Sequence, residues 1–206
     1  AGKSTFIRTL LGLLIPTSGT ANLFGQNIDI KPENLRKKIG YLPSEVNYYD
    51  GMSSRELLEY HAGFYDHIEQ GKIETLGELF ELDLNRKIEE LSFGNKKKCA
   101  IIQSVLHKPE LLILDEPTSG LDPLMQNRFF ELLEQENKNG TTIFFSSHIL
   151  AEIQRMCSRA AIIRKGEISA VEDIQSLLEK QMKKARFIFT AQKELAFIEG
   201  VQNPIW

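Results

Sequence analysis

With 206 residues, 42% of them hydrophobic, the chain can bury the core of one globular domain with a small second lobe, and needs neither disulfides nor a metal to hold it. Its formal charge of -3 gives no support for nucleic-acid binding driven by bulk charge. Cys99 and Cys157 lack metal-ligand spacing and read as free thiols of a reducing compartment, and no apolar run approaches the roughly 20 residues that span a bilayer. No signal peptide is evident, so work at a membrane would require another chain or a segment outside this sequence.

Ala1-Gly2-Lys3-Ser4-Thr5 runs into a helically spaced apolar stretch that Pro16 stops. It matches the second half of the phosphate-binding loop G-x-x-x-x-G-K-[ST], with the first glycine and its strand missing, so the chain reads as a fragment. Gly2 lets the backbone come close to phosphate, and the N–H groups after it open a helix whose dipole favours anions. Lys3 suits the β- and γ-phosphates and the Ser4 hydroxyl suits Mg2+. A chance loop before a helix is the plainer alternative.

Thr17–Ile30 reads as a short hairpin turning at Gly25-Gln26. Arg36-Lys37-Lys38 is a solvated basic patch before a buried strand, Ile39–Leu42, ended by Pro43. Ser53 and Glu56 form a capping box for a helix running to about Tyr65, and Lys72–Leu82 gives a second amphipathic helix. This middle region, about 44–108, reads as a helical lobe inserted into an α/β domain. Leu91–Asn95 (LSFGN) opens a helix over Lys96–His107, where Ser92 and Gly94 make either an anion site or simply a cap.

Lys108-Pro109 breaks that helix, and Leu111–Asp122 (LLILDEPTSGLD) follows. Its apolar run suits a strand buried on both faces, ending at Asp115 and Glu116 where such sheets place their ligands. Adjacent strand residues face opposite sides, so one carboxylate can hold a metal while the other faces a reacting water. A charged pair capping a core strand is the competing account. Pro123 starts a helix that ends near Gly140. Thr141–Ser147 is a second strand expected to be buried on both faces, with His148 at the same ligand edge. Ile149–Cys157 is helical, Ala160–Ile168 a hairpin around Lys165-Gly166, Val171–Lys183 an amphipathic helix, and Arg186–Thr190 strand-like.

Taken together, AGKST, LSFGN, LLILDEP, SGLD and SSH stand in the order and spacing of an ATP-binding cassette (ABC) ATPase, and the chain resembles that family up to the hairpin near Gly166. The resemblance implies an α/β P-loop NTPase with a mostly parallel core sheet, an antiparallel portion and the helical subdomain, all within 1–183, and 184–206 then either starts a C-terminal extension or adds a strand to the same domain. It assigns ATP phosphates and Mg2+ to Gly2, Lys3, Ser4 and Thr5, Mg2+ also to Asp115, the attacking water to Glu116, and the γ-phosphate to His148. Ser119–Asp122 would be the D-loop that crosses to a partner subunit, and Ser92 and Gly94 the signature that contacts the opposite subunit's ATP. Three features depart from the family pattern. Phe93 and Asn95 replace a glycine and the glutamine of LSGGQ, Ser44 stands where the Q-loop glutamine is usual, so that Ser44 or Glu45 would serve through water, and the adenine-stacking aromatic would lie upstream of Ala1.

The wording of Tyr41–Glu45 and LSFGNKKK looks like the exporter branch linked to drug, antibiotic or lipid efflux. The implied partners are a transmembrane permease and a second cassette, as homodimer or heterodimer, with no nucleic acid, on the cytoplasmic face of the cell membrane. A soluble cassette acting on ribosomes or DNA is the alternative, and Phe93 with Ser44 raises a third, a non-hydrolysing regulatory cassette.

Overall fold

The computed structural model describes residues 2–28, 35–48 and 50–179. Helix α1 (Lys3–Leu10) comes first, followed by strands β1 (Asn22–Leu23) and β2 (Gln26–Asn27), paired antiparallel. The turn between them is Phe24-Gly25, with φ of 52° and 74°, one residue earlier than expected. Two positive φ values give the twist that a two-residue hairpin favours.

Strand β3 (Ile39–Leu42) stops at Pro43 as expected. The capping box forms, Ser53 N–H donating to Glu56 Oε2 (2.7 Å) and Glu56 N–H to Ser53 Oγ (3.2 Å), and it opens α2 (Ser54–Ala62). Helix α2 ends at Gly63 rather than Tyr65. Helix α3 (Lys72–Leu79) ends short of Leu82, where Glu81 turns to φ 51°. Helix α4 (Phe93–Val105) begins inside the LSFGN stretch, with Ser92 as its N-cap accepting from Asn95 N–H.

The chain continues through β4 (Leu111–Asp115), α5 (Pro123–Lys138), β5 (Thr142–Ser146), α6 (Leu150–Met156), β6 (Arg159–Arg164), β7 (Glu167–Asp173) and α7 (Ile174–Glu179). The helix expected from Val171 starts at Ile174 instead, because Val171 and Asp173 pair with Ala161 and Arg159 in the β6–β7 hairpin. The remainder of that helix, the Arg186–Thr190 run and the extension 184–206 lie outside the described residues.

Strands β3, β4 and β5 form a parallel sheet with β4 in the middle, Leu111 opposite Ile39 and Asp115 opposite Ser146. Alternation then sorts the side chains of β4. Leu112 and Leu114 enter the main core with Ile101, Ile102 and Val105 of α4 and Phe129 and Leu133 of α5. Ile113 faces the other way, against Ile7 of α1 and Leu11 at its C-cap. Each of these buried side chains contributes roughly 1.5–3 kcal/mol. Asp115, two residues after Ile113, is thereby carried to the α1 side.

Strand β5 departs from the expected two-sided burial. Ile143 and Phe145 pack on the main core, but Thr142 is exposed and Phe144 is 39% exposed. Among the described strands β5 has a neighbour on one edge only, and the ring of Phe144 stands 6.3 Å from that of Phe6.

The sheet lies hard against α4 at Gly40. A Cβ there would stand 1.9 Å from the Ser104 carbonyl oxygen and 2.6 Å from Leu112 Cδ2. Since the first obstacle is backbone, relief requires β3 and α4 to separate. Gly40→Ala is therefore expected to destabilise by about 1–3 kcal/mol in a denaturant titration, and an unchanged midpoint would contradict this packing.

Candidate nucleotide site

Gly2 occupies the N-cap of α1 at φ 106°, a left-handed conformation that favours glycine, and no side chain caps the helix. Its first-turn N–H groups, with no acidic residue in that turn, present the positive end of the helix to solvent. Lys3 and Ser4 are half-buried there and Thr5 is exposed.

Across from α1, β4 ends at Asp115, and Glu116 is not a strand residue at all. It takes φ 48°, its N–H donates to the Ser146 carbonyl (3.1 Å), and Pro117 follows. The two carboxylates are thus separated by a left-handed turn as well as by strand alternation. Asp115 is fully buried. Its Oδ1 accepts from Ser146 Oγ (2.6 Å), while Oδ2 is buried without a partner. Such an orphan costs on the order of 1–3 kcal/mol unless something fills it.

Glu116 has both oxygens engaged. Lys3 Nζ donates to Oε1 at 2.5 Å, and His148 Nδ1 lies 2.7 Å from Oε2. Burial pushes the Glu116 carboxyl up, but the hydrogen bonds from Lys3 and His148 outweigh it and hold the group below the usual glutamate value. His148 is otherwise open, its side chain 75% exposed.

Ser44 and Glu45, in the loop after β3, border a cleft of about 630 Å³ together with Phe93, Glu116, Ser119 and His148. Ser92 is exposed and its hydroxyl is used as the α4 cap. Gly94 packs so closely on the Gly120 carbonyl that a Cβ would lie 2.8 Å from it, and the Phe93 ring covers Gly120. The start of α4 and the Ser119–Asp122 loop therefore form one surface. Asp122 caps α5, its Oδ1 accepting from the N–H groups of Leu124 and Met125 at 3.0 Å each.

A family model described as ABC transporter matches residues 1–119, more than half of the chain. The chain belongs to the ABC transporter ATP-binding family. It is 34% identical over 187 residues to the ABC transporter ATP-binding protein NatA of Bacillus subtilis (strain 168), covering 88% of this chain and 76% of that protein. Against the bacitracin transport ATP-binding protein BcrA of Bacillus licheniformis it is 34% identical over 200 residues, covering 94% of this chain and 64% of BcrA. A solved ATP-binding subunit of an ABC transporter superposes with a TM-score of 0.79 at 30% identity, over 87% of this chain and 77% of that one. A dimeric ATP-binding cassette bound to ADP and Pi, 23% identical with a TM-score of 0.74 over 84% and 81% of the two chains, shares the fold. The chain therefore spans about three quarters of the length of NatA and less than two thirds of that of BcrA. As a member of this ABC family it is an ATP-binding, ATP-hydrolysing cassette with the P-loop NTPase fold.

Two residues at this ABC site escape a motif reading. Glu152 is buried on α6, where Thr118 Oγ1 donates to its Oε1 and Ser147 Oγ to its Oε2, both at 2.6 Å, so one carboxylate clamps the loops after β4 and β5. Its only signal in sequence is a spacing of four from His148. Lys97 is buried beneath the cleft, and burial pushes its ammonium down to about 8 against the charges of Asp115 and Glu116. In sequence it is the middle of a basic run on a helix and looks solvated.

The Lys3–Glu116 contact can be tested by titration. Lys3→Met is expected to raise the Glu116 pKa, read from its side-chain carboxyl NMR shift, because the foremost influence lowering it is removed. An unmoved midpoint would mean that the pair does not form in solution.

Proposed function

We propose that this cassette drives an export-type transporter by closing on ATP with a second cassette, a copy or a paralogue, and reopening after hydrolysis. The observation that carries this reading is Glu116, whose two oxygens meet Lys3 of the phosphate loop and His148 of the loop after β5. Gly2, Lys3, Ser4 and Thr5 then bind the ATP phosphates, His148 contacts the γ-phosphate, and Ser44 or Glu45, at the edge of the cleft, serves the nucleotide through water. Ser92 and Gly94 meet ATP held by the opposite subunit, and the Ser119–Leu121 loop, seated against Gly94, crosses beside them while Asp122 holds the helix behind it.

The donors also suit Mg2+. The buried, unpartnered Asp115 Oδ2 on the α1 side and the Ser4 hydroxyl are hard oxygen ligands, and magnesium sites typically take one or two carboxylates beside phosphate. Bound between them, Mg2+ would neutralise β- and γ-phosphate charge. As Lys3 turns from Glu116 to phosphate, the carboxylate gives up its strongest hydrogen bond and becomes a better base. His148 keeps it oriented toward the attacking water.

The reading extends to organisation. Helices α2–α4, within about 44–108, form the inserted subdomain of an ATPase domain over 1–183, and 184–206 begins an extension. No helix among the described residues is long and apolar enough to cross a membrane. A transmembrane permease partner would hold the cassette, peripheral, on the cytoplasmic face, and the bacitracin transport role in the name of BcrA supports a transport function.

In the full-length protein, Glu116→Gln is expected to keep ATP binding, to lower hydrolysis by about 10²–10⁴-fold, and to accumulate an ATP-bound dimer in size-exclusion chromatography. Lys3→Ala is expected to lose nucleotide binding. A Glu116→Gln variant that hydrolyses ATP at the normal rate would remove Glu116 as the base.

A further inference from the structure

Lys97 is 0% exposed and finds its hydrogen-bond partners among backbone carbonyls. Its Nζ donates to the Pro43 carbonyl (2.9 Å), the Ser44 carbonyl (3.3 Å) and the Glu116 carbonyl (3.4 Å). An ammonium has three N–H donors, and three acceptors fix the head in place. Two of these acceptors belong to the loop after β3, at the position where the short Ser44 side chain stands. The third is the carbonyl of the left-handed residue that carries the base, which also accepts from Ser119 N–H (3.3 Å). One buried cation therefore joins the cleft loop, the Glu116 turn and helix α4.

The same helix begins at Ser92 and Gly94. Lys97 lies five residues past Ser92, a rise of about 7 Å along a rigid element. A shift of the α4 N-terminus must therefore carry the Lys97 head with it, and with the head the carbonyl of Glu116.

We propose that Lys97 is a positioning residue that ties the orientation of this chain's own Glu116 to the start of α4, so that engagement of a second subunit's nucleotide by Ser92 and Gly94 is felt at the base. The proposal rests on the functional reading above. It acts through backbone geometry, by way of the carbonyls of Pro43, Ser44 and Glu116. A lysine that merely satisfies itself in the core would affect folding and binding together, and would be indifferent to Ser92.

The test uses the full-length protein and Mg-ATP. Lys97→Met keeps the length of the side chain and removes the donors. It is expected to lower kcat by about 10–100-fold, the scale of a displaced catalytic group, while KM for ATP stays within about twofold and Lys97→Arg recovers most of the rate. Combining Ser92→Ala with Lys97→Met is expected to give a kcat close to that of Lys97→Met alone, because both changes break one path. Unchanged kcat in Lys97→Met, a kcat and KM that fall together, or defects that multiply in the double variant would each overturn the proposal. Should Lys97→Met not fold, Lys97→Gln takes its place, with the same values supporting or overturning the proposal. Glu116→Gln, assayed alongside, separates the failures. If it is inactive while Lys97→Met is unaffected, only the positioning role falls. If it is active, the functional reading beneath it falls.

Discussion

The site depends on how the chain leaves β4. Four residues, Leu112 to Asp115, are buried at the centre of the sheet, and the next residue turns left-handed. A non-glycine residue pays for that conformation in strain, so it persists only where its surroundings over-determine it. Here they do, through the Ser146 carbonyl on the Glu116 N–H, Lys97 and Ser119 on its carbonyl, and Lys3 and His148 on its carboxylate. Alternation carries Asp115 inward toward α1 and the turn leaves Glu116 over the cleft, the division of labour proposed above for phosphoryl transfer to water.

Around that turn the fold supplies rigid supports. Alternation along β4 brings Asp115 to the same side as Ile7 of α1 and its C-cap Leu11, so packing of the helix and placement of the carboxylate have one cause. Glu152 performs the corresponding task for the loops, binding Thr118 and Ser147 with one buried carboxylate. Phe93 and Gly94 on Gly120 join the start of α4 to the loop that leads into α5 within a single chain. Positions proposed above to serve two half-sites are thus in contact within one chain.

Much of this was legible in sequence, for reasons that differ by element. Gly2 at the left-handed N-cap of α1, the apolar run of β4, the Ser53–Glu56 box and Pro123 after Asp122 are local signals with local causes. What failed was non-local. The apolar TTIFFSS run suggested a strand buried twice over, yet burial depends on neighbouring elements, and β5 has only one flank covered among the described residues. Val171–Asp173 joined a hairpin because β6 offered it partners. Glu116 read as a strand residue because alternation says nothing of where a strand stops. Lys97 was invisible because its burial is decided by the loop after β3 and the Glu116 turn, each far from it along the chain.

The central claim is that Asp115 and Glu116, adjacent in sequence, serve a metal and a water respectively. Mn2+ binding to the full-length protein in the presence of ATP, followed by electron paramagnetic resonance, separates them directly. Asp115→Asn is expected to weaken Mn2+ binding by about tenfold or more, as loss of a charged ligand does, with Glu116→Gln close to the unmodified protein. Equal losses in both variants, or a loss confined to Glu116→Gln, would contradict the division that the β4 turn appoints.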